Sequence, residues 1–538
     1  MGSSKENIKN FLGQIPLTAE VYWLLRQRGK PISRFSLKHL QAELPGLVKT
    51  AKNFRAGAEP GKKVFIFATL HYWIEHAALV GVALAARGHQ VTLGYLPYSE
   101  WQNPINLFDL RRNNAYAKKV LSPAEEVMRV ISLLQVKPDF RPMPDTLHSI
   151  VEKVTQYDSQ YTMQVEEVDP AEDIYQLRWQ RNEAVARVGY NLFHANRPDV
   201  VIVPNGSIQE LGVIYRLARA MKIPVTTYEF GDQRDRIWLA QDGEVMRQET
   251  DGLWRACQDQ PLSEHEITEV KELFRARQNG RVWQNFLRLW QDTPSSGGVA
   301  ARAALKLDER PVVLLATNVL GDSLTLGRQV FTHTMSQWIS RTVQYFAGRP
   351  DTQLVIRIHP GEVLTHGVSM MDVVHNVLPK LPENIHLIRP KDKVNTYDIV
   401  EIADLGLVYT TTVGLEMALG GLPVIVAGQT HYRGRGFTYD PDSWVAYLKQ
   451  LGTILEDPAA HRLNPTQLEH AWRYAYRFFF SYPLPFPWHL VRCWEDYQEH
   501  PLDEVLSEQG WAKYGRTFDY LVGEPIDWRC ELARPVEG

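Results

Sequence analysis

The sequence predicts an α/β chain of two Rossmann-like domains whose parallel sheets face each other across a cleft. Three observations carry this expectation. Short β-branched or aromatic runs alternate with helical runs, the βαβ rhythm that buries a parallel sheet between helices. Two such series occur, one within residues 62–231 and one within 311–428. Between them lies DTPSSGGVA (292–300), with the composition of a flexible connection.

Residues 1–60 read as an N-terminal helical, amphipathic segment, clearest in LTAEVYWLLRQRG. KKVFIFAT (62–69) has the length and composition of a strand. The loop LHYWIEH, the helix AALVGVALAARG ended by Gly88, and the strand HQVTLGYL (89–96) complete the first unit. After a long helical insertion, PDVVIVPN (198–205), a helix through RLARAMK, and IPVTTYEFG (223–231) form a second. Residues 240–300 read as mixed helix and loop. The second series is PVVLLATN (311–318), a helix around FTHTMSQWISRTVQYFAG, QLVIRIHP (353–360), ENIHLIRP (383–390), DLGLVYT (404–410), the helix GLEMALGG and PVIVAG (423–428). The expected limits are 61–291 for an N-terminal domain carrying the helical insertion, 292–310 for the linker, 311–470 for a C-terminal domain and 471–538 for a helical tail.

Composition narrows the class. The 538 residues are 44% hydrophobic and 22% charged, ordinary for a soluble globular enzyme. A net charge of −3 supplies no basic field for nucleic acid, which is therefore not an expected partner. Cys257, Cys493 and Cys530 are too scattered for disulfides or a zinc site, so a reducing compartment is expected. MGSSKENIKNFLGQIP lacks the apolar centre of a signal peptide, and HAALVGVALAA is about half the length of a bilayer span. The expected location is cytoplasmic.

Ligands of open parallel sheets bind beyond the carboxyl ends of the strands, and the candidates were chosen there. Thr410, Thr411 and Thr412 follow the strand DLGLVYT and open the helix GLEMALGG. Hydroxyls and free amides at such a junction suit an oxyanion. Gly414 allows close backbone approach, and Glu416, in the first turn, suits ribose hydroxyls. A capping box would account for the same residues. In RIHPGE (357–362) the strand runs into His359-Pro360, which puts the imidazole at the sheet edge and Arg357 on the same strand face. A histidine there can serve a departing phosphate. QTHYRGRGFTYDP (429–441) adds His431, Arg433 and Arg435 on a glycine frame suited to a diphosphate, although a solvated basic loop reads the same way. Asp440-Pro-Asp442 reads as a turn, and no metal is expected. In the N-terminal domain the carboxyl-end groups are His71 and Glu75, Asn205, and Glu229 and Asp232. Glu75, Glu229 and Asp232 are the candidates for a base acting on an acceptor hydroxyl, with capping or ion pairing as the alternative for each.

RIHPGE, KVNTYDIVEIADLGLVYTTTVGLEMALGGLPVIVAG and HYRGRGFTYDP together resemble the capsule polysaccharide biosynthesis glycosyltransferases, strongly over residues 310–445 and more weakly over 60–235. That family, related to the capsular Kdo transferases and bacterial sialyltransferases by HP and Ser/Thr motifs, has the GT-B fold. The resemblance implies a nucleotide-sugar donor in the C-terminal domain, with His359 and Thr410–Thr412 on its phosphate and Glu416 on its ribose. It implies a glycan or lipid-linked acceptor and no cofactor beyond the donor. Retaining GT-B enzymes often carry two glutamates eight apart. Val424 stands eight after Glu416, which leans towards an inverting, metal-independent reaction. Two alternatives stay open: a non-hydrolysing sugar-nucleotide epimerase, and a non-catalytic nucleotide-sugar-binding subunit of a capsule assembly complex. The aromatic stretch WRYAYRFFFSYPLPFPWHL (472–490) reads either as a tail crossing back over both domains or as a face resting on the inner membrane surface.

Overall fold

A computed structural model of the chain describes residues 4–533, apart from 29, 31, 33, 138–142, 232, 280–292 and 366. The chain adopts the expected α/β class, with two separate sheet bodies. In the first, β1 (Lys63–Thr69), β2 (Gln90–Leu96), β3 (Arg129–Ser132), β4 (Val200–Pro204), β5 (Val225–Glu229) and β6 (Arg236–Gln241) lie in the order β6-β5-β4-β1-β2-β3. All neighbours are parallel except β5 and β6. In the second, β7 (Val312–Ala316), β8 (Gln353–Arg357), β9 (Ile385–Ile388), β10 (Leu405–Val408) and β11 (Val424–Val426) form an all-parallel sheet ordered β11-β10-β7-β8-β9.

Burial explains the strand sequences. Every residue of β1 after Lys63 is buried. Val64, Ile66 and Ala68 enter one core and Phe65 and Phe67 another, because successive side chains point to opposite faces. A strand covered on both faces therefore reads as a continuous apolar run. The helix His71–Ala86 is buried from Trp73 onward, wedged between the sheet and the helix Lys38–Arg55. In the second body Val312 and Leu314 face one core and Val313 and Leu315 the other.

Two segments tie the bodies together. The helices Asp251–Cys257 and Glu264–Gln278, which follow the first sheet in sequence, bury Leu253, Trp254, Leu273 and Phe274 in the core of the second body. The aromatic stretch 472–490 returns the other way. Tyr474, Tyr476, Phe478 and Phe479 are buried with the second body, and Phe486 and Trp488 with the first. There β12 (Leu484–Pro485) pairs antiparallel with β6. The membrane-face reading of this stretch is corrected accordingly: its aromatic rings are spent on internal packing. The expected flexible linker is also anchored from Ser295 on. Ser295 and the Ser296 amide donate to Asp398, and the Gly298 amide donates to Glu401. Among the described residues no helix is long and apolar enough to cross a membrane.

Candidate active site in the cleft

The carboxyl edges of both sheets open on one cavity of about 860 Å³. The first body lines it with Trp101 and Gln102 beyond β2, Tyr161 of the helix Asp145–Met163, and Phe230 and Gly231 beyond β5. The second lines it with residues 316–324 at and beyond the end of β7, Arg357 and 359–361 at the end of β8, and 411–413 beyond β10. Of the residues expected from sequence, Arg357, His359, Pro360, Thr411, Thr412 and Glu416 all line this one space.

The end of β8 sets the imidazole. Pro360 opens a short 3₁₀ turn, Pro360–Leu364, and His359 Nδ1 accepts the Gly361 amide at 3.0 Å as its cap. With Nδ1 accepting, the neutral ring carries its hydrogen on Nε2, which is thereby a donor. The His359 amide is held by Thr317 Oγ1 at 2.9 Å. Arg357 donates to the Arg389 carbonyl at 2.8 Å and to Thr396 Oγ1 at 3.4 Å. No carboxylate among the described residues pairs with it, and burial lowers its pKa to about 10. A buried guanidinium held only by neutral oxygens leaves positive charge on the cavity wall, available to an anion.

The threonine junction differs in detail from its expectation. Thr412 precedes the helix Val413–Leu419 in helical backbone geometry and makes no side-chain cap, and no capping box forms. The amides of Thr411, Thr412 and Val413 donate to no hydrogen bond among the described residues. Thr410 is buried, its amide held by Asn318 Oδ1 at 3.2 Å and its Oγ1 without a partner. Gly414 serves packing: a Cβ there would lie 2.4 Å from the Tyr432 hydroxyl, which itself donates to the Thr411 carbonyl at 2.7 Å. Glu416 pairs with Arg277 at 2.6 Å, both side chains nearly fully buried. The Arg277 guanidinium lies 4.7 Å from the Phe479 ring centre. Arg277 occupies one carboxylate oxygen of Glu416, and the other has no partner among the described residues.

Several expected residues lie elsewhere. Arg433 donates to the carbonyls of Val426 and Pro441 and so closes its own loop. Arg435 pairs with Asp251 at 2.5 Å and donates to Thr250. His431 stacks on Phe478 at 3.7 Å, with Nδ1 3.0 Å from the Tyr474 hydroxyl. Burial and the neighbouring guanidinium groups of Arg328 and Arg435 hold it neutral. None of the three lines the cavity. The loop HYRGRG therefore fastens the helices 251–278 and the tail to the second body. Glu75 is also structural, accepting the Leu40 amide at 3.1 Å and Trp494 Nε1 at 3.0 Å. His71 sits edge-on to Tyr72, its Nδ1 buried without a partner, and does not line the cavity. Asp232 lies outside the described residues.

Glu229 ends β5 immediately before the cavity-lining Phe230. It accepts the Phe230 amide at 3.1 Å and Asn205 Nδ2 at 3.4 Å. Asn205 keeps this position with a left-handed backbone (φ 58°), its Oδ1 accepting the Ser207 amide. Burial outweighs these two donors and raises the Glu229 pKa to about 7, and its charge in turn helps raise the neighbouring Tyr72 and Tyr228 phenols. By surface area the side chain is only partly buried, and it adjoins the cavity through Phe230 without itself lining it.

Asp322 and Arg277 were not expected from sequence. Asp322, in the loop after β7, lines the cavity, and burial raises its pKa despite donors from Leu324 and Ser323. Gly321 (φ +67°) and Gly327 (φ +65°) press this loop against the helix Asp145–Met163. A Cβ would lie 2.3 Å from the Gln160 carbonyl at the first and 2.2 Å from the Tyr157 hydroxyl at the second. Asp322 and Glu229 both act on Tyr161, whose phenol is raised to about 12, chiefly by burial. The strand PVVLLATN pointed to this loop by the same carboxyl-edge rule. Arg277 comes from a helix outside both sheets and had no such signal.

No protein-family model and no curated protein matches the chain. Among solved structures it is similar to KpsC from Thermosulfurimonas dismutans, a beta Kdo 2,4 transferase, with 16% identity over 51% of this chain and 79% of that one and a TM-score of 0.34. It is also similar to UDP-GlcNAc 2-epimerase from Neisseria meningitidis (13% identity; 77% and 98% covered; TM-score 0.24). A third likeness is to MurG from Acinetobacter baumannii (12% identity; 81% and 99% covered; TM-score 0.24). Arguments about activity therefore rest on the residues of the cleft.

Proposed function

We propose that the chain is a glycosyltransferase that moves a sugar from a nucleotide-sugar to a glycan or lipid-linked acceptor in surface polysaccharide synthesis, by an inverting, metal-independent reaction at the cytoplasmic side. One observation carries this reading: a carboxyl group whose pKa burial raises to about 7 ends β5 next to the cavity-lining Phe230, and an anion-suited wall belongs to the other body. Arg357, His359 Nε2–H and the unspent amides of Thr411–Val413 suit the donor phosphate, and the free oxygen of Glu416 suits its ribose. The Glu229 carboxylate takes the proton of the acceptor hydroxyl as that oxygen bonds to the anomeric carbon. The bond from that carbon to the donor phosphate breaks, and the nucleotide leaves with the electron pair, its charge stabilised by Arg357 and the imidazole. No cofactor enters this scheme.

Asp322, which lines the cavity, and Glu229, which with it acts on the cavity-lining Tyr161, raise a second reading, since an epimerase needs two carboxyl groups facing its sugar. Incubation with CMP-, UDP- and GDP-sugars separates the readings. Free nucleotide released from one donor, and lost in Glu229→Gln, supports transfer. A new epimer with its diphosphate intact supports epimerisation, and binding of a donor without turnover supports a non-catalytic subunit.

A further inference from the structure

The largest concentration of exposed apolar side chains among the described residues lies on the helices Ser4–Gln14 and Thr18–Leu25, none of whose residues lines the cavity. Phe11 is 64% exposed, Leu17 68%, Leu24 60% and Leu25 71%, with Ile8 and Val21 beside them. Ile8 and Phe11 are three apart on the first helix, and Val21, Leu24 and Leu25 share one face of the second. The opposite face of the second helix holds it in place: Ala19 and Trp23 are buried, and Tyr22 packs edge-on against Phe108 at 5.5 Å. Arg111 donates to the carbonyls of Gly13 and Ile15 at 2.8 Å and fixes the bend between the helices. The apolar face is thus presented by an anchored hairpin.

Charge identifies what covers it. Seven Lys and Arg stand against two Glu between Ser4 and Lys38, in a chain whose net charge is −3. Arg26, Arg28, Lys30 and Lys38 are exposed, and none is ion-paired among the described residues. Exposed apolar residues bordered by unpaired cations match an interface with anionic lipid.

We propose that this N-terminal hairpin docks the protein on an anionic bilayer surface. The inference is independent of the sugar-transfer reading. The loop beyond β2, whose Trp101 and Gln102 line the cleft, runs directly into the helix Leu107–Leu121 on which the hairpin rests.

The test is co-sedimentation of the full chain with vesicles of phosphatidylcholine alone and of phosphatidylcholine with phosphatidylglycerol. The expected result is binding to the anionic vesicles only, weakened by salt. Partition should fall roughly tenfold or more in Leu24→Glu/Leu25→Glu, and likewise in Arg26→Glu/Arg28→Glu/Lys30→Glu. Phe11→Ser/Val21→Ser provides a milder second apolar variant, and thermal transitions matching the parent show that each variant folds. Vesicle binding unchanged in the variants, or absent in the parent, overturns the proposal. A concentration-dependent dimer that Leu24→Glu/Leu25→Glu abolishes assigns the face to a second copy of the chain and overturns it equally.

Discussion

Replacing Glu229 by Gln should make the protein more stable at neutral pH and inactive, and the two effects share one cause. The carboxyl pKa rises from 4.5 to about 7 on folding. That rise corresponds to a ceiling of about 3 kcal/mol. Because the side chain is partly exposed, solvent screening brings the expected value to roughly 2 kcal/mol. The folded state holds its proton more tightly than the unfolded chain, so native stability falls as pH rises from 4.5 to about 7 and stays lower above that. Gln resembles the protonated carboxyl and does not titrate. Urea midpoints of parent and variant should therefore nearly coincide around pH 4.5. They should separate progressively, with the variant ahead by roughly 2 kcal/mol at about pH 8. This needs no knowledge of the donor. In the presence of the correct donor, kcat/KM of the parent should rise with pH through about 7, and the variant should lose at least about 100-fold. A stability difference that does not vary with pH, or a variant less stable than the parent at about pH 8, would refute the placement of a strained carboxylate at the end of β5.

Three further substitutions probe the opposite wall. Thr410→Val removes the partnerless buried hydroxyl at nearly constant volume, so the ligand-free protein should gain about 1 kcal/mol in a urea titration. Arg277→Met leaves Glu416 buried and unpaired and should cost about 3 kcal/mol. Adding Glu416→Leu should restore much of that loss, as measured by the same midpoints. His359→Ala removes both the cap of the 3₁₀ turn and the donor on Nε2. Donor turnover should fall at least tenfold, about 1.4 kcal/mol of barrier, and stability by about 1 kcal/mol. Unchanged turnover in the folded variant would remove His359 from the site.

The fold was most legible where a strand is buried on both faces. KKVFIFAT and PVVLLATN announce β1 and β7 because no polar residue can interrupt a strand packed between helices. β6 has buried Ile237 and Leu239 alternating with more exposed neighbours, the period-2 pattern of a half-covered strand, yet the sequence reading places no strand there. β12 is two residues long. Its pairing is imposed by where the tail returns, and no local pattern encodes that. The same holds for the helices 251–278, whose apolar faces are plain in sequence while the body they join is decided by tertiary packing.

The site divides along a similar line. Position along a strand is local, so Arg357, His359 and the threonines could be placed at a carboxyl edge from their neighbours alone. What a side chain does there depends on distant segments. Arg433 and Arg435 lie at the correct edge with suitable chemistry, but carbonyls and Asp251 consume their donors. Glu416 was nominated for a ribose, and Arg277, 139 residues away in the chain, has taken one of its oxygens. Glu75 and Glu229 look equivalent in sequence, each just beyond a strand of the first body. Glu75 is satisfied by Leu40 and Trp494 from outside the sheet, whereas Glu229 meets only Asn205 and an adjoining amide. Burial raises both carboxyls: Glu75 has Trp494, the Leu40 amide and the neighbouring His39 opposing that rise, whereas Glu229 has only the Phe230 amide and Asn205 and reaches about 7.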